Sequence, residues 1–122
     1  MENITNNRAD IINMVNVLAE KWKEKVHHHY RTNFPNLPLP GVRVNIGGRY
    51  IGVFRGEPGV SESIAFFVDM TGGKIGKHPS KAGDILKPAG RNVPAPHARG
   101  SIFENDLGLS KLSEYGAAYL LR

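Results

Sequence analysis

The sequence predicts a mainly β protein that also contains a helix: an N-terminal amphipathic helix, a small antiparallel β-barrel and an irregular C-terminal extension. Short runs of β-type residues occupy positions 42–46, 50–54 and 64–68, and glycine pairs or Gly/Pro turns separate them. So few short strands cannot bury both faces of an open sheet, and small sheets of this kind curl into barrels. The alternation of strands and turns therefore predicts a barrel over residues 42–88.

The chain of 122 residues is expected to form one compact domain, because this length supports a modest core. Four segments follow one another along it: an N-terminal helix (1–33), a Pro-rich connector (34–41), the SH3-sized barrel (42–88), and a basic loop with a docked C-terminal extension that ends in a short helix or strand (89–122).

The predicted helix and the Pro-rich connector, which precede the barrel, each show a recognisable sequence pattern. Apolar residues recur three and four positions apart between Ile11 and Val26, which predicts a buried stripe with Trp22 as its packing anchor. A seam between two copies of the chain is the alternative location for this stripe. The connector is rich in proline, which favours extended backbone, and we expect it to place Phe34 and Leu37 on the barrel.

Positive charge is concentrated in the middle of the chain. The formal net charge is +5, and residues 43–99 alone hold nine Lys/Arg against four Asp/Glu. Such a basic segment attracts phosphate backbones or acidic protein surfaces, and the alternative is a solvated face that only maintains solubility. The pattern predicts weak, sequence-independent binding of DNA or RNA, or association with a nucleoprotein assembly, through Arg43, Arg49, Arg55, Lys74, Lys77, Lys81, Lys87, Arg91 and Arg99.

The composition also predicts where the protein works. The chain contains no cysteine, which excludes disulfides and suits a reducing compartment. No apolar stretch approaches the roughly 20 residues that span a bilayer, and the polar N-terminus lacks the pattern of a secretory signal. We expect an intracellular, soluble protein of the cytoplasm or nucleus without a membrane partner.

No set of residues in the sequence predicts catalysis, a cofactor or a metal site. The serines include no Gly-x-Ser-x-Gly elbow, and the glycine-rich stretch at residues 72–78 lacks the ending of a phosphate loop. His27, His28 and His29 are consecutive on the predicted helix, where neighbours point roughly 100° apart and cannot converge on one ion. We expect a binding protein that is not an enzyme.

The barrel segment resembles the SH3-like barrels of the Tudor and agenet type, and more loosely the KOW barrels. The resemblance is carried by Tyr50-Ile51-Gly52-Val53-Phe54, by Phe66-Phe67-Val68-Asp69 and by the closing Gly83-Asp84-Ile85-Leu86-Lys87-Pro88. Tudor-type barrels bind methylated Lys or Arg in aromatic cages. The resemblance implies a cage formed by Tyr50, Phe66 or Phe67, and Asp69, and only one of the two phenylalanines can point outward because strand neighbours face opposite sides.

The tail resembles a second class of proteins. Residues 97–120 are similar to C-terminal stretches of small basic proteins of large DNA viruses, which implies a viral origin and, for a viral protein, a location in the virion. The alternative function is that of a structural or assembly protein, for example a virion component, whose apolar tail and connector contact other subunits, including copies of itself as a homo-oligomer. Salt distinguishes the two functions, because phosphate contacts weaken steeply as salt rises and apolar assembly does not.

Overall fold

One long helix packs on one face of an antiparallel sheet. The computed structural model describes residues 8–57, 60–90 and 93–117. The helix, α1, spans Arg8–Asn33, with Asp10 in its first turn and Arg31 in its last turn, where their charges suit the helix dipole. No helix in these three ranges is both long and apolar enough to cross a membrane.

The remaining described chain forms short strands in three sheets. The strands are β1 (Gly41–Ile46), β2 (Tyr50–Gly56), β3 (Ser63–Asp69), β4 (Gly73–Ile75), β5 (His78–Ser80), β6 (Asp84–Leu86), β7 (Gly100–Ser101), β8 (Leu112–Ser113) and β9 (Gly116–Ala117). A 3₁₀ helix, Leu109–Lys111, precedes β8. A five-stranded sheet has the order β1-β2-β3-β6-β7, β4 pairs with β5, and β8 pairs with β9, all antiparallel.

The five-stranded sheet is not a closed barrel. Its edge strands β1 and β7 do not pair with each other within the described residues, so the structure has the predicted helix and antiparallel sheet without the predicted closure. Two features explain the difference. Residues 73–80, which lie within the predicted barrel segment, form a separate hairpin, β4–β5, and α1 covers one sheet face that a barrel would have to bury by curling.

The main core lies between α1 and the face of the sheet that it covers. The predicted stripe is confirmed, since Trp22 has no solvent exposure and the edge of Phe66 in β3 meets its ring, with the ring centroids 5.4 Å apart. Complete burial of a large apolar side chain contributes roughly 1.5–3 kcal/mol. The fully buried members from the helix and sheet are Ile11, Val15, Leu18, Trp22, Val26, Ile51, Val53, Phe66, Val68 and Ile85.

The C-terminal part of the described chain packs against α1. The indole N–H of Trp22 donates a hydrogen bond of 2.7 Å to the Ser113 carbonyl, and the Lys25 ammonium donates one of 2.5 Å to the Leu112 carbonyl. Leu112 and Ile102 lie in the main core. The helix is therefore held from both sides, by the sheet and by β8–β9.

The connector only partly follows the prediction. Leu37 is 54% exposed and borders a shallow cleft that Arg55 and Ser63 of the sheet also line, whereas Phe34 is 42% exposed and does not take its expected position on the sheet. The Phe34 ring instead contacts the end of α1, with its centroid 5.7 Å from that of His29 and 5.5 Å from that of Tyr30. The reason is proximity, because Phe34 directly follows the helix and reaches its last turn first.

Candidate nucleic-acid interface

Three exposed lysines lie on or directly after the β4–β5 hairpin. Lys74 lies in β4, Lys77 lies in the turn, and Lys81 follows β5; all three are exposed. None of the three ammonium groups has an ion-pair or hydrogen-bond partner among the residues that the structure describes. We call these three residues the hairpin lysines.

Asp69 anchors the hairpin to the sheet. Its buried carboxylate accepts two hydrogen bonds from the Arg49 guanidinium, at 3.1 and 3.0 Å, and one of 2.6 Å from the Ser80 hydroxyl. The backbone amides of Thr71 and Gly72 donate two more. Burial opposes ionisation of this carboxyl group, but the donated hydrogen bonds outweigh it, and the pKa of Asp69 lies below its ordinary value.

Arg49 belongs to the same anchor. A further N–H of its guanidinium donates a 2.8 Å hydrogen bond to the Lys74 carbonyl of β4. The hydrogen bond to Asp69 is the largest influence on the pKa of Arg49, which lies above its ordinary value. Because Asp69 neutralises its charge and fixes its position, Arg49 holds the hairpin in place and is a poor candidate for direct phosphate contact.

The other two predicted sheet arginines are also engaged within the protein, and on opposite faces. Arg43 forms a two-pronged ion pair with Glu62, at 2.7 and 2.9 Å, and its guanidinium lies 4.5 Å from the centroid of the Phe54 ring. Arg55 lies on the helix side, where it contacts the rings of Tyr30 and Tyr115 at 5.8 and 5.6 Å. Arg43 and Arg55 therefore do not share one surface.

The remaining predicted cations lie beyond the hairpin. Lys87 and Arg99 are half-buried, and Arg91 lies outside the described residues. The Arg99 guanidinium donates to the Pro96 and His97 carbonyls, and burial lowers its pKa. Arg99 thus supports its own loop.

A small cleft opens on the face of the sheet away from α1. Its volume is about 190 Å³, and we call it the aromatic slot. Tyr50 and Phe67 contact each other at its side, with ring centroids 6.0 Å apart and planes at 61°. The residues that line it are Asn45, Gly47, Gly48, Arg49, Tyr50, Gly52, Phe54 and Phe67.

The structure brings only part of the predicted aromatic cage together. Tyr50 and Phe67 lie side by side in the aromatic slot. Phe66 faces the opposite side, where it is completely buried against Trp22. Asp69 has no solvent exposure, and Arg49 pairs with its carboxylate. A cage of Tyr50, Phe66 and Asp69 is therefore excluded by the alternation of side chains along β3.

Five residues that line the aromatic slot were not among the predicted site residues. They are Asn45, Gly47, Gly48, Gly52 and Phe54. The signal available in the sequence was Gly52, since a glycine within a strand marks a place where a ligand or another chain segment approaches closely. Asn45 pairs with Gly52 across β1 and β2, and Phe54 lies two positions after Gly52 in β2. All three residues therefore lie on the same face of the sheet.

One further contact joins the hairpin to the loop that carries Arg99. His78 in β5 and His97 lie with their ring centroids 4.3 Å apart. Within residues 8–57, 60–90 and 93–117, no three His, Asp or Glu side chains cluster closely enough to hold a metal ion. The two rings contact each other edge to face beside the hairpin.

Comparisons with known proteins add no family to this description. No protein-family model, no curated protein and no solved structure matches the chain. Function is therefore inferred from the hairpin lysines and the aromatic slot alone.

Proposed function

We propose that the protein binds nucleic acid without catalysing a reaction on it, and that the hairpin lysines form the principal contact. One observation supports this proposal most strongly: Lys74, Lys77 and Lys81 are exposed on one hairpin and make no ion pair with any described residue. Binding of a phosphate group therefore breaks no existing salt bridge. Arg43, Arg49, Arg55 and Arg99 would each have to give up an internal contact first.

The surroundings of the hairpin favour an anionic partner. The nearest carboxylate in sequence, Asp84, accepts a 2.8 Å hydrogen bond from the Lys81 backbone amide, and Asp69 is buried and paired with Arg49. Lysine binds phosphate as a point charge without base selectivity. We expect dissociation constants of about 10⁻⁴–10⁻⁶ M at physiological salt, as is usual for non-specific contacts.

A salt titration with a fluorescent single-stranded oligonucleotide tests the proposal. The logarithm of the binding constant falls linearly with the logarithm of the salt concentration, by about 0.7 for each phosphate neutralised. The triple variant Lys74→Gln, Lys77→Gln, Lys81→Gln should reduce this slope by about 2. Circular dichroism should show unchanged folding, because exposed charges contribute little to stability.

The matched control removes positive charge elsewhere. Lys21 and Arg31 are exposed on α1, and the variant Lys21→Gln, Arg31→Gln should keep the slope of the parent protein. Equal loss of slope in both variants would indicate general electrostatic attraction without a defined site. Absence of binding by the parent at low salt would contradict the proposed function.

A second candidate function rests on a different observation. The connector exposes three apolar side chains close together, with Phe34 42%, Leu37 54% and Leu39 41% exposed. Such a patch suits subunit contacts in an assembly, for example a virion, or a homo-oligomer. If it mediates assembly, the molecular mass measured by light scattering should rise with protein concentration and should not fall in high salt. Leu37→Ser should abolish that rise.

The relation to SH3-like barrels remains part of this proposal. The meander β1-β2-β3 followed by β6 is the part of the fold in which the Tudor, agenet and KOW resemblance lies. We propose that the sheet is an opened member of that architecture in which α1 takes over the role of closure. Recognition of a methylated side chain is not proposed, because Phe66 and Asp69 are unavailable to a ligand.

A further inference from the structure

The aromatic slot has the shape and fixed walls of a site for a flat ring. Phe54 and Phe67 are only 8% and 6% exposed, so packing holds these two walls in place. Gly52 lets the Phe54 wall pack close to the strand, because a Cβ atom at this position would lie 3.1 Å from the Phe54 ring and 3.2 Å from Ile64. The volume of about 190 Å³ admits one small aromatic group.

Two polar groups at the slot have no hydrogen-bond partner among the described residues. The Asn45 amide and the Tyr50 hydroxyl form no hydrogen bond with any residue in the described ranges. Burial, the largest influence, raises the pKa of Tyr50, so its hydroxyl remains a donor at neutral pH. An amide supplies both a donor and an acceptor. The slot therefore offers stacking surface together with edge hydrogen bonds, which is the combination that binds an unpaired nucleobase.

The slot lies next to the hairpin because Arg49 contacts both of them. Arg49 lines the slot and donates to the Lys74 carbonyl at 2.8 Å. The guanidinium also lies against Gly73, where a Cβ atom would be 3.5 Å from it. A nucleotide with its base in the slot can therefore place its phosphate groups on the side of the hairpin.

We propose that the aromatic slot binds one unpaired nucleobase of a single strand whose phosphates lie on the hairpin lysines, an inference that rests on the proposed nucleic-acid binding. The protein then prefers single strands to duplexes, because a paired base is not available for insertion. The charge around the rings excludes a cationic occupant. Guanidinium groups already lie 4.5 Å from the Phe54 centroid and 5.0 Å from the Tyr50 centroid, and they would repel a methylated lysine or arginine.

Comparison of two ligands of equal charge tests the slot directly. One is a fluorescent single strand, and the other is an abasic strand of the same length with every phosphate retained. Stacking of one base strengthens binding by about 5- to 150-fold, so the abasic strand should bind the parent protein more weakly by that factor. The corresponding duplex should also bind more weakly than the single strand.

The variant Tyr50→Ala should weaken binding of the normal strand and leave binding of the abasic strand unchanged. Unchanged binding of the abasic strand also shows that the variant is folded. The matched control is Tyr115→Ala, since Tyr115 is 64% exposed and contacts Arg55 on the other side of the sheet; this variant should bind both strands as the parent does. A strand with 2-aminopurine should lose fluorescence on binding the parent, because stacking quenches that base.

The outcomes separate the two proposals. If the parent binds the normal and abasic strands equally, the slot takes no base, and the nucleic-acid function stands on the hairpin lysines alone. If the parent binds neither strand at low salt, the proposed function itself is wrong. Tighter binding of the normal strand that persists unchanged in Tyr50→Ala would also overturn the assignment of the base to this slot.

Discussion

The two faces of the β2–β3 sheet are covered in different ways. On the helix side, Ile51, Val53, Phe66 and Val68 are all completely buried beneath α1 and form part of the main core. On the other side, Phe54 and Phe67 are buried without belonging to that core. Arginine–carboxylate pairs and neighbouring strands shield this second face, and they leave room for the aromatic slot.

The difference shows how one strand pair can serve stability and binding together. Apolar burial beneath a helix contributes free energy in proportion to area. An ion pair in a partly buried position contributes far less net free energy, because desolvation offsets most of the attraction, but loss of one partner is costly. We expect the helix side to determine stability and the open side to position the hairpin.

The largest effect should come from the helix side. Trp22→Ala removes a fully buried ring that packs on Phe66, and it also removes the N–H that bonds to Ser113. A change of this kind costs about 3–5 kcal/mol of the free energy of unfolding. Urea denaturation measures it, with Trp22→Phe as the milder control. Equal midpoints for Trp22→Ala and the parent would show that the helix does not contribute to the core.

A somewhat smaller effect is expected on the open face at Asp69. Asp69→Asn weakens the pair with Arg49, whose side chain is 29% exposed. We expect the free energy of unfolding to fall by about 3 kcal/mol at neutral pH. This value is at the low end for buried ion pairs because water reaches Arg49. Since the folded pKa of Asp69 is lowered, its stabilisation is present above the unfolded pKa of about 3.9. It disappears as the pH falls through the folded value.

Urea denaturation at neutral and acidic pH checks both statements. The gap in unfolding free energy between the parent and Asp69→Asn should narrow on acidification. The exposed Asp106 also has a lowered pKa, mainly through the Ser110 backbone amide, but it is common to both proteins and cancels in their difference. A gap that stays constant down to low pH would show that the charge of Asp69 is not what stabilises the hairpin.

The smallest effect should come from the exposed pair on the same face. Arg43→Ala removes the ion pair with Glu62 and the contact with Phe54, and solvent screens both because the Arg43 side chain is 45% exposed. The denaturation midpoint should fall less than in Asp69→Asn, and high salt should reduce the difference from the parent. A larger loss than in Asp69→Asn would reverse the ranking of the two pairs.

Local patterns in the sequence were enough to predict the elements, but not how the sheet ends. The spacing of apolar residues gave α1 and the burial of Trp22, and the turn glycines gave the strands up to β3. Closure depends on which distant segments pair, and nothing local distinguishes a fourth sheet strand from the separate hairpin that carries Lys74. The position of Phe34 in the Pro-rich connector was misjudged for the same reason, because its nearest apolar neighbour was the helix end.

The candidate site, like the fold, could be predicted from the sequence only in part. Exposed lysines in a glycine-rich hairpin could be predicted, because a lysine without a neighbouring acid in the sequence is usually solvated. The arginines could not, since Glu62 lies 19 residues from Arg43 and Asp69 lies 20 residues from Arg49, and strand register alone brings them together. The aromatic slot depends on the same register, which places Gly52 opposite Asn45 on one side and Phe67 on the other.

The hydrogen bond from Trp22 to Ser113 has a consequence for how the chain folds during synthesis. The two residues are 91 positions apart, so residue 113 must leave the ribosome before the indole N–H finds its acceptor. Until then, the apolar stripe of α1 can be only partly covered, and contacts between such distant residues slow folding. Exposed apolar surface of this kind favours aggregation and chaperone binding. Nascent chains stalled before residue 112 should therefore be captured by chaperones more readily than released chains that include β8–β9.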